Sequence, residues 1–169
     1  MMVLKVLFIH SGAGIGGAPV SMVTLAASLD RNLYDPHVVF TDNGPMINIS
    51  KQMGLRSSVT KLRAVMAYGA HVPLSIRPVI NFVIQFIPTI IKARRLIKTE
   101  KPDFIHLNTS ALISIGIAAR LQNVPIVWHI REVVNPDTLF GRLLARAICF
   151  LAHRVIAVSD YVSQCLPDT

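Results

Sequence analysis

The sequence predicts a single α/β domain in which a doubly wound parallel sheet lies between two layers of helices. Three observations predict it. A continuous apolar run at the start passes through a glycine-rich turn into a helical pattern. Strand-like and helix-like segments then alternate to the end of the chain, the order that builds parallel sheets. Hydrophobic residues make up 52% of the 169 positions and charged residues 15%. That is enough apolar material for one sizeable core and too little charge for a disordered chain.

The first unit spans Val3 to Leu29. Its opening, VLKVLFIH, is a strand of the kind buried on both faces of a parallel sheet. The segment SGAGIGGAP follows, with Gly12, Gly14, Gly16 and Gly17. Met22, Leu25, Ala26 and Leu29 then recur at helical spacing, and Pro19 suits a first helical turn. Such a turn either is merely tight or lets the backbone approach an anion at the helix start, where N–H groups are free. Strand and helix on either side favour the ligand loop, with a phosphate as its occupant.

The next strand is His37 to Thr41, with Asp35-Pro36 as a turn before it and Asp42-Asn43-Gly44-Pro45 as a turn after it. Met46 to Met53 is a short helix stopped by Gly54, and Ser57 to Leu62 a weak third strand. Arg63 to Pro73 has no assignable pattern, and Tyr68-Gly69-Ala70-His71 is expected to be a loop. Pro78 to Glu100 is a long helix, kinked at Pro88. Its apolar part, Val79 to Ile91, is too short to span a bilayer. Lys92, Arg94, Arg95 and Lys98 follow it. Two readings stand: a core helix with a solvated basic end, which a parallel sheet requires anyway, or a helix lying on an anionic membrane.

Phe104 to Leu107 is a strand, Ser110 to Gln122 a helix, Pro125 to Ile130 a strand, Asp137 to Ala152 a helix and Arg154 to Val158 a strand. Ser159 starts a last helix. This Rossmann-like alternation implies the strand order 3-2-1-4-5-6. Ligands are then expected at the carboxyl ends of the first strand and the Phe104 strand, where the order reverses.

His10, His106 and His129 close three neighbouring strands in that order. They are either neutral histidines bonded to backbone or a three-histidine metal site, the latter without a supporting carboxylate. His129 stands out because Arg131 and Glu132 follow it. A histidine there can act as a general base or bond a substrate hydroxyl. Arg131 can bind phosphate with Glu132 orienting it, or the two can form a local ion pair. Asn108, Thr109 and Ser110 either meet a ligand or cap the next helix, and local preference favours capping.

The net charge of +8 suits anionic partners such as phosphates, a nucleotide or an acidic membrane surface. Basic residues are not interleaved with aromatics and no nucleic-acid motif appears, so nucleic acid is not expected as a partner. Cys149 and Cys165 lie in apolar stretches without a CxxC, which fits packed thiols in a reducing cytoplasm. No signal peptide is evident. Neither GxSxG nor a Walker motif is present. Gly12-x-Gly14-x-x-Gly17 fits the dinucleotide fingerprint, but Asp42 falls thirty residues past Gly12 rather than about twenty. A nicotinamide dinucleotide-binding domain is the runner-up. A non-catalytic membrane- or protein-binding module is a third reading.

Four pieces in order, VLFIHSGAGIGGAP, KPDFIHLNTS, VPIVWHIRE and HRVIAVSDYV, resemble the amino-terminal domain of GT-B glycosyltransferases, most closely the retaining family 4 group. The resemblance covers nearly all 169 residues. It implies an enzyme that moves a sugar from a nucleotide-sugar donor to a sugar, lipid-linked or other acceptor. It implies that Gly16 and Gly17 approach the donor phosphates and sugar, and that His129 lies beside the reaction centre. It also implies an acceptor held mainly by this domain, with His10, Asn108, Ser110, Arg131 and Glu132 as candidate contacts. Pro19 stands where many members carry an acidic residue, and His153-Arg154 where Asp is frequent. The family's Glu-x7-Glu motif has no match, since the glutamates are Glu100 and Glu132 alone. A donor-binding domain is therefore expected beyond residue 169, and the chain by itself is expected to be inactive. With no Asp-x-Asp, no metal or other cofactor is expected. A cytoplasmic location, with a peripheral place on the inner membrane face as one reading, completes the expectation.

Overall fold

A computed structural model describes residues 2–62 and 76–167. The strands are β1 (Leu4–His10), β2 (Tyr34–Phe40), β3 (Arg56–Val59), β4 (Phe104–Leu107), β5 (Ile126–Ile130) and β6 (Arg154–Ala157). The helices are α1 (Gly17–Ser28), α2 (Met46–Gln52), α3 (Ile76–Glu100), α4 (Ile113–Arg120), α5 (Leu139–Leu151) and α6 (Asp160–Gln164). All strand pairs are parallel. Their order is β3-β2-β1-β4-β5-β6, as the alternation implies.

Successive side chains on a strand point to opposite faces, so each inner strand feeds two cores. Val6, Phe8, Val38 and Phe40 pack with Met22, Val23 and Ala26 of α1 and Met46 of α2. Leu7, Ile9, Val39, Ile105 and Leu107 pack on the other face with α3, α4 and α5. This double burial explains why β1 is apolar at nearly every position.

The local turn signal at Asp35-Pro36 is overruled: both residues lie inside β2, and Pro36 pairs with Val6. β3 joins β2 only from His37 onward. At Pro36 one flank of β2 has no partner strand, so a residue lacking an N–H is tolerated there. β3 begins and ends earlier than the expected Ser57 to Leu62. Tyr68-Gly69-Ala70-His71 and the unassigned stretch 63–73 lie outside the described residues.

α3 continues past Pro88 to Glu100. Thr89, Ile90, Ala93 and Ile97 are buried, which makes α3 the expected covering helix. Ile80, Val83, Ile84, Ile87 and Ile91 are nevertheless exposed. Glu100 ends α3 at the amino edge of the sheet, where it pairs with Arg56 at 3.0 Å and lies 3.1 Å from His37 Nδ1. Glu100 is thus at the opposite edge from Glu132.

Candidate active site

The carboxyl edge of β1, β4 and β5 gathers most of the expected residues. His10 ends β1, Asn108 follows β4, His129 lies in β5, and Arg131 and Glu132 follow β5. His10, Asn108, His129 and Arg131 occupy alternating positions that face α1, the consequence of the pleat and the register of three adjacent strands.

Asn108 is the centre of this group and is fully buried. Its Nδ2 donates to Ala18 O at 3.0 Å, and its Oδ1 accepts from Arg131 Nε at 2.8 Å. His10 Nδ1 lies 3.3 Å from Asn108 O and 3.2 Å from Asn108 Nδ2, donating to the first or accepting from the second according to its tautomer. Arg131 Nη2 donates to Ser21 Oγ at 3.0 Å and to His129 Nδ1 at 3.3 Å. One network therefore ties the first turns of α1 to the ends of three strands. Helix capping, the locally favoured role for Asn108, Thr109 and Ser110, is corrected. α4 starts only at Ile113, its N-cap is Leu112, and no side chain caps it. Thr109 Oγ1 does accept from Ala111 N at 3.3 Å within the turn. At α6 a side-chain cap is present, Ser159 Oγ accepting from Val162 N at 3.3 Å.

Arg131 and Glu132 turn to different partners instead of pairing with each other. Glu132 Oε2 accepts from the Ser110 backbone N–H at 3.0 Å. Ser110 is fully buried, and among the described residues its hydroxyl has no hydrogen-bond partner. A guanidinium has donors only, so His129 Nδ1 must accept from Arg131 and the ring proton resides on Nε2. Among the described residues Nε2 has no partner, and the half-buried ring presents an N–H at the edge.

Burial lowers the pKa of His129, and Arg131 beside it lowers it further. Burial lowers that of His10 too, against the backbone of Asn108. His106 packs between Phe8 (ring centroids 4.9 Å) and the edge of His129 (5.7 Å). Burial, then His129 and Arg131, push His106 down to about 4. The folded chain thus binds fewer protons than the unfolded one between pH 6.5 and about 4. Stability from this group is complete above pH 6.5 and lost as pH falls toward 4, on the order of 3 kcal/mol in all. Urea unfolding at pH 7 and pH 4.5 should show that decline, and His106→Gln should flatten it; an unchanged slope in the variant would refute the assignment. Among the described residues, no three His, Cys, Asp or Glu side chains are grouped to hold a metal ion.

The glycine loop joins this edge from above. Gly12 has φ +76°, a left-handed conformation that favours glycine, and its N–H donates to Thr41 Oγ1 at 3.0 Å. Ala13 O accepts from Met46 N at 3.0 Å, and a Cβ at Gly44 would lie 2.3 Å from that oxygen. The loop is thereby seated on the turn between β2 and α2. Gly16 is the N-cap of α1 without a side-chain cap, and Gly16 and Gly17 are exposed. A Cβ on Gly14 or Gly17 would meet nothing within 4 Å. In the dinucleotide fingerprint the third glycine serves close packing of helix on strand. Gly17 has no such neighbour, which weakens the nicotinamide reading and leaves the glycine pair as open surface.

Ser21, Thr41 and the carbonyl of Ala18 are parts of the site that sequence reasoning missed. Ser21 and Arg131 are 110 positions apart, and no local pattern joins them.

No curated protein matches the chain in sequence. Among solved structures, similar folds occur in HepE of Anabaena in complex with UDP and glucose (TM-score 0.69, 20% identity) and in MurG of Acinetobacter baumannii (0.66, 18%). A third is the UDP-GlcNAc 2-epimerase of Neisseria meningitidis bound to UDP-GlcNAc (0.62, 13%). These cover 96%, 98% and 96% of this chain. The chain in turn spans only 40%, 43% and 42% of theirs. At such identities the likeness shows the fold, a GT-B amino-terminal domain. The glycosyltransferase family 4 model matches residues 15–168, from the glycine loop through the last helix, and the chain belongs to that family.

Proposed function

We propose that this domain is the acceptor-side half of a glycosyltransferase that moves a sugar from a nucleotide-sugar donor, completed by a donor-binding domain. The observation that carries the reading is the Asn108–Arg131 network, which fixes the His129 tautomer beside an uncapped, exposed glycine pair at the start of α1. The N–H groups at that helix start are suited to a donor phosphate, stabilised by the helix dipole. His129 Nε2–H donates to a hydroxyl of the transferred sugar, a role the proton position favours over general base. Arg131 orients it, and Glu132 and Ser110 shape the acceptor side. HepE was captured with UDP and glucose, in keeping with a UDP-sugar donor here. Donor and acceptor must be held in register for transfer, which a single half does not provide.

One feature supports a place at a membrane surface. The outer face of α3 exposes Ile84, Ile87 and Ile91 and leads into a groove lined by Arg94, Arg95 and Lys98. An apolar row beside cations fits anionic lipid headgroups.

The test is transfer from radiolabelled UDP- and GDP-sugars by the whole protein carrying this domain, with and without anionic vesicles. Transfer by the whole protein, little by residues 1–169 alone, and co-sedimentation with the vesicles are expected. Full activity of the isolated chain would overturn the two-domain reading. An inactive whole protein that binds NAD tightly would overturn the glycosyltransferase itself.

A further inference from the structure

A cavity of about 200 Å³ opens beside the candidate site, lined by Phe86 of α3, Ser110 and Ala111 between β4 and α4, Ile113 of α4, and Phe140, Leu144 and Ala147 of α5. Six of these seven side chains are apolar. The exception, Ser110, is fully buried, and among the described residues its hydroxyl has no hydrogen-bond partner. A buried hydroxyl without a partner is costly, and its retention in an otherwise apolar wall points to a group that completes it.

The cavity lies at the carboxyl end of β4, the same sheet edge as the candidate site. Ser110 follows Asn108 by two residues, and its N–H is held by Glu132, which follows Arg131. Outside it, the same helices leave apolar side chains in water: Val83 and Ile87 on α3, Leu139 and Leu143 on α5. An occupant therefore meets polar groups at the strand ends and apolar walls between the helices, with more apolar surface further out.

We propose that this cavity holds the hydrocarbon chain of a lipid acceptor, with a phosphate or ester oxygen near the chain's head accepting from Ser110 Oγ–H. The proposal rests on the glycosyltransferase reading and narrows its acceptor to an amphipathic lipid. A chain seated between α3, α4 and α5 leaves the head group at the carboxyl ends of the strands, on the side of Ser110.

The test is calorimetric titration of the 169-residue chain with decyl phosphate below its critical micelle concentration, with inorganic phosphate as the chain-free control. Saturable binding of decyl phosphate is expected, with none of phosphate alone. Ala147→Phe, which fills the cavity, should weaken binding at least tenfold. Ser110→Ala removes one oxygen and should weaken it about two- to tenfold, the worth of one hydrogen bond. Leu121→Ser, on an exposed side chain outside the cavity, should change nothing. No binding by the wild-type chain would overturn the proposal, as would equal binding of inorganic phosphate or equal weakening by Leu121→Ser. The readout involves neither donor nor transfer. A failure here leaves the glycosyltransferase reading intact, and a failure of sugar transfer leaves this result intact.

Discussion

Trp128→Ala is expected to destabilise the domain by about 3–5 kcal/mol, the range for deleting a large buried aromatic side chain. Trp128 is the largest fully buried side chain. On β5 it packs against α4 so closely that a Cβ on Gly116 would lie 2.6 Å from its ring. Gly116 therefore makes room for Trp128, and nothing in the close-packed layer can move in when the ring is gone. The indole Nε1–H also donates to Thr109 O at 2.8 Å. Removing it leaves a buried carbonyl short of its partner, between Asn108 and Ser110. Domains of this size have about 5–15 kcal/mol in all, so the variant should lose a large share of its stability. Denaturant unfolding followed by circular dichroism checks this, with the slope unchanged and the midpoint lowered. Trp128 is the only tryptophan, so its own fluorescence cannot serve as the probe. Trp128→Phe keeps a ring and loses the donor, and should fall between wild type and Ala. A Trp128→Ala midpoint within about 1 kcal/mol of wild type would show that this packing is not what holds α4 on the sheet.

The second large effect is on chemistry. On the proposed glycosyltransferase reading, His129→Ala in the whole protein should lower sugar transfer by about 10²–10³-fold while leaving folding nearly intact, the magnitude of losing one preorganised donor. Arg131→Met should reach a similar loss by another route. It frees the His129 tautomer and leaves Asn108 Oδ1, buried, without its 2.8 Å partner. On that reading Arg131 acts through His129, so the double variant should be little worse than either single one. His129→Gln keeps an N–H near the same place and should recover part of the rate. Additive losses would separate the two residues. A His129→Ala enzyme within threefold of wild type would remove His129 from the reaction.

The sequence by itself determined the architecture. Alternating strand and helix patterns of the right length leave a parallel sheet as the way to bury each apolar face, and right-handed crossovers then yield the strand order. The double-sided burial of β1 was legible in VLKVLFIH. So was the exposed glycine turn, because glycine at a strand-to-helix junction has few other uses. His10, His129, Arg131 and Glu132 could be placed at one edge because parallel strands put all their carboxyl ends together. Only the tertiary structure decided which partners these residues bond there. Asn108-Thr109-Ser110 looked like a helix cap because Asn, Thr and Ser bond nearby backbone in isolation. In the fold, Asn108 reaches Ala18 and Arg131 instead, partners 90 and 23 residues away. Asp35-Pro36 looked like a turn because the rule is local; the sheet admits it because β3 pairs with β2 only past that point. The Arg131–Ser21 contact, the Nε2–H tautomer of His129 and the cavity beside Ser110 depend on strands and helices distant in sequence packing at one place. Local preference acts over a few residues, whereas a site is assembled by burial across the whole chain.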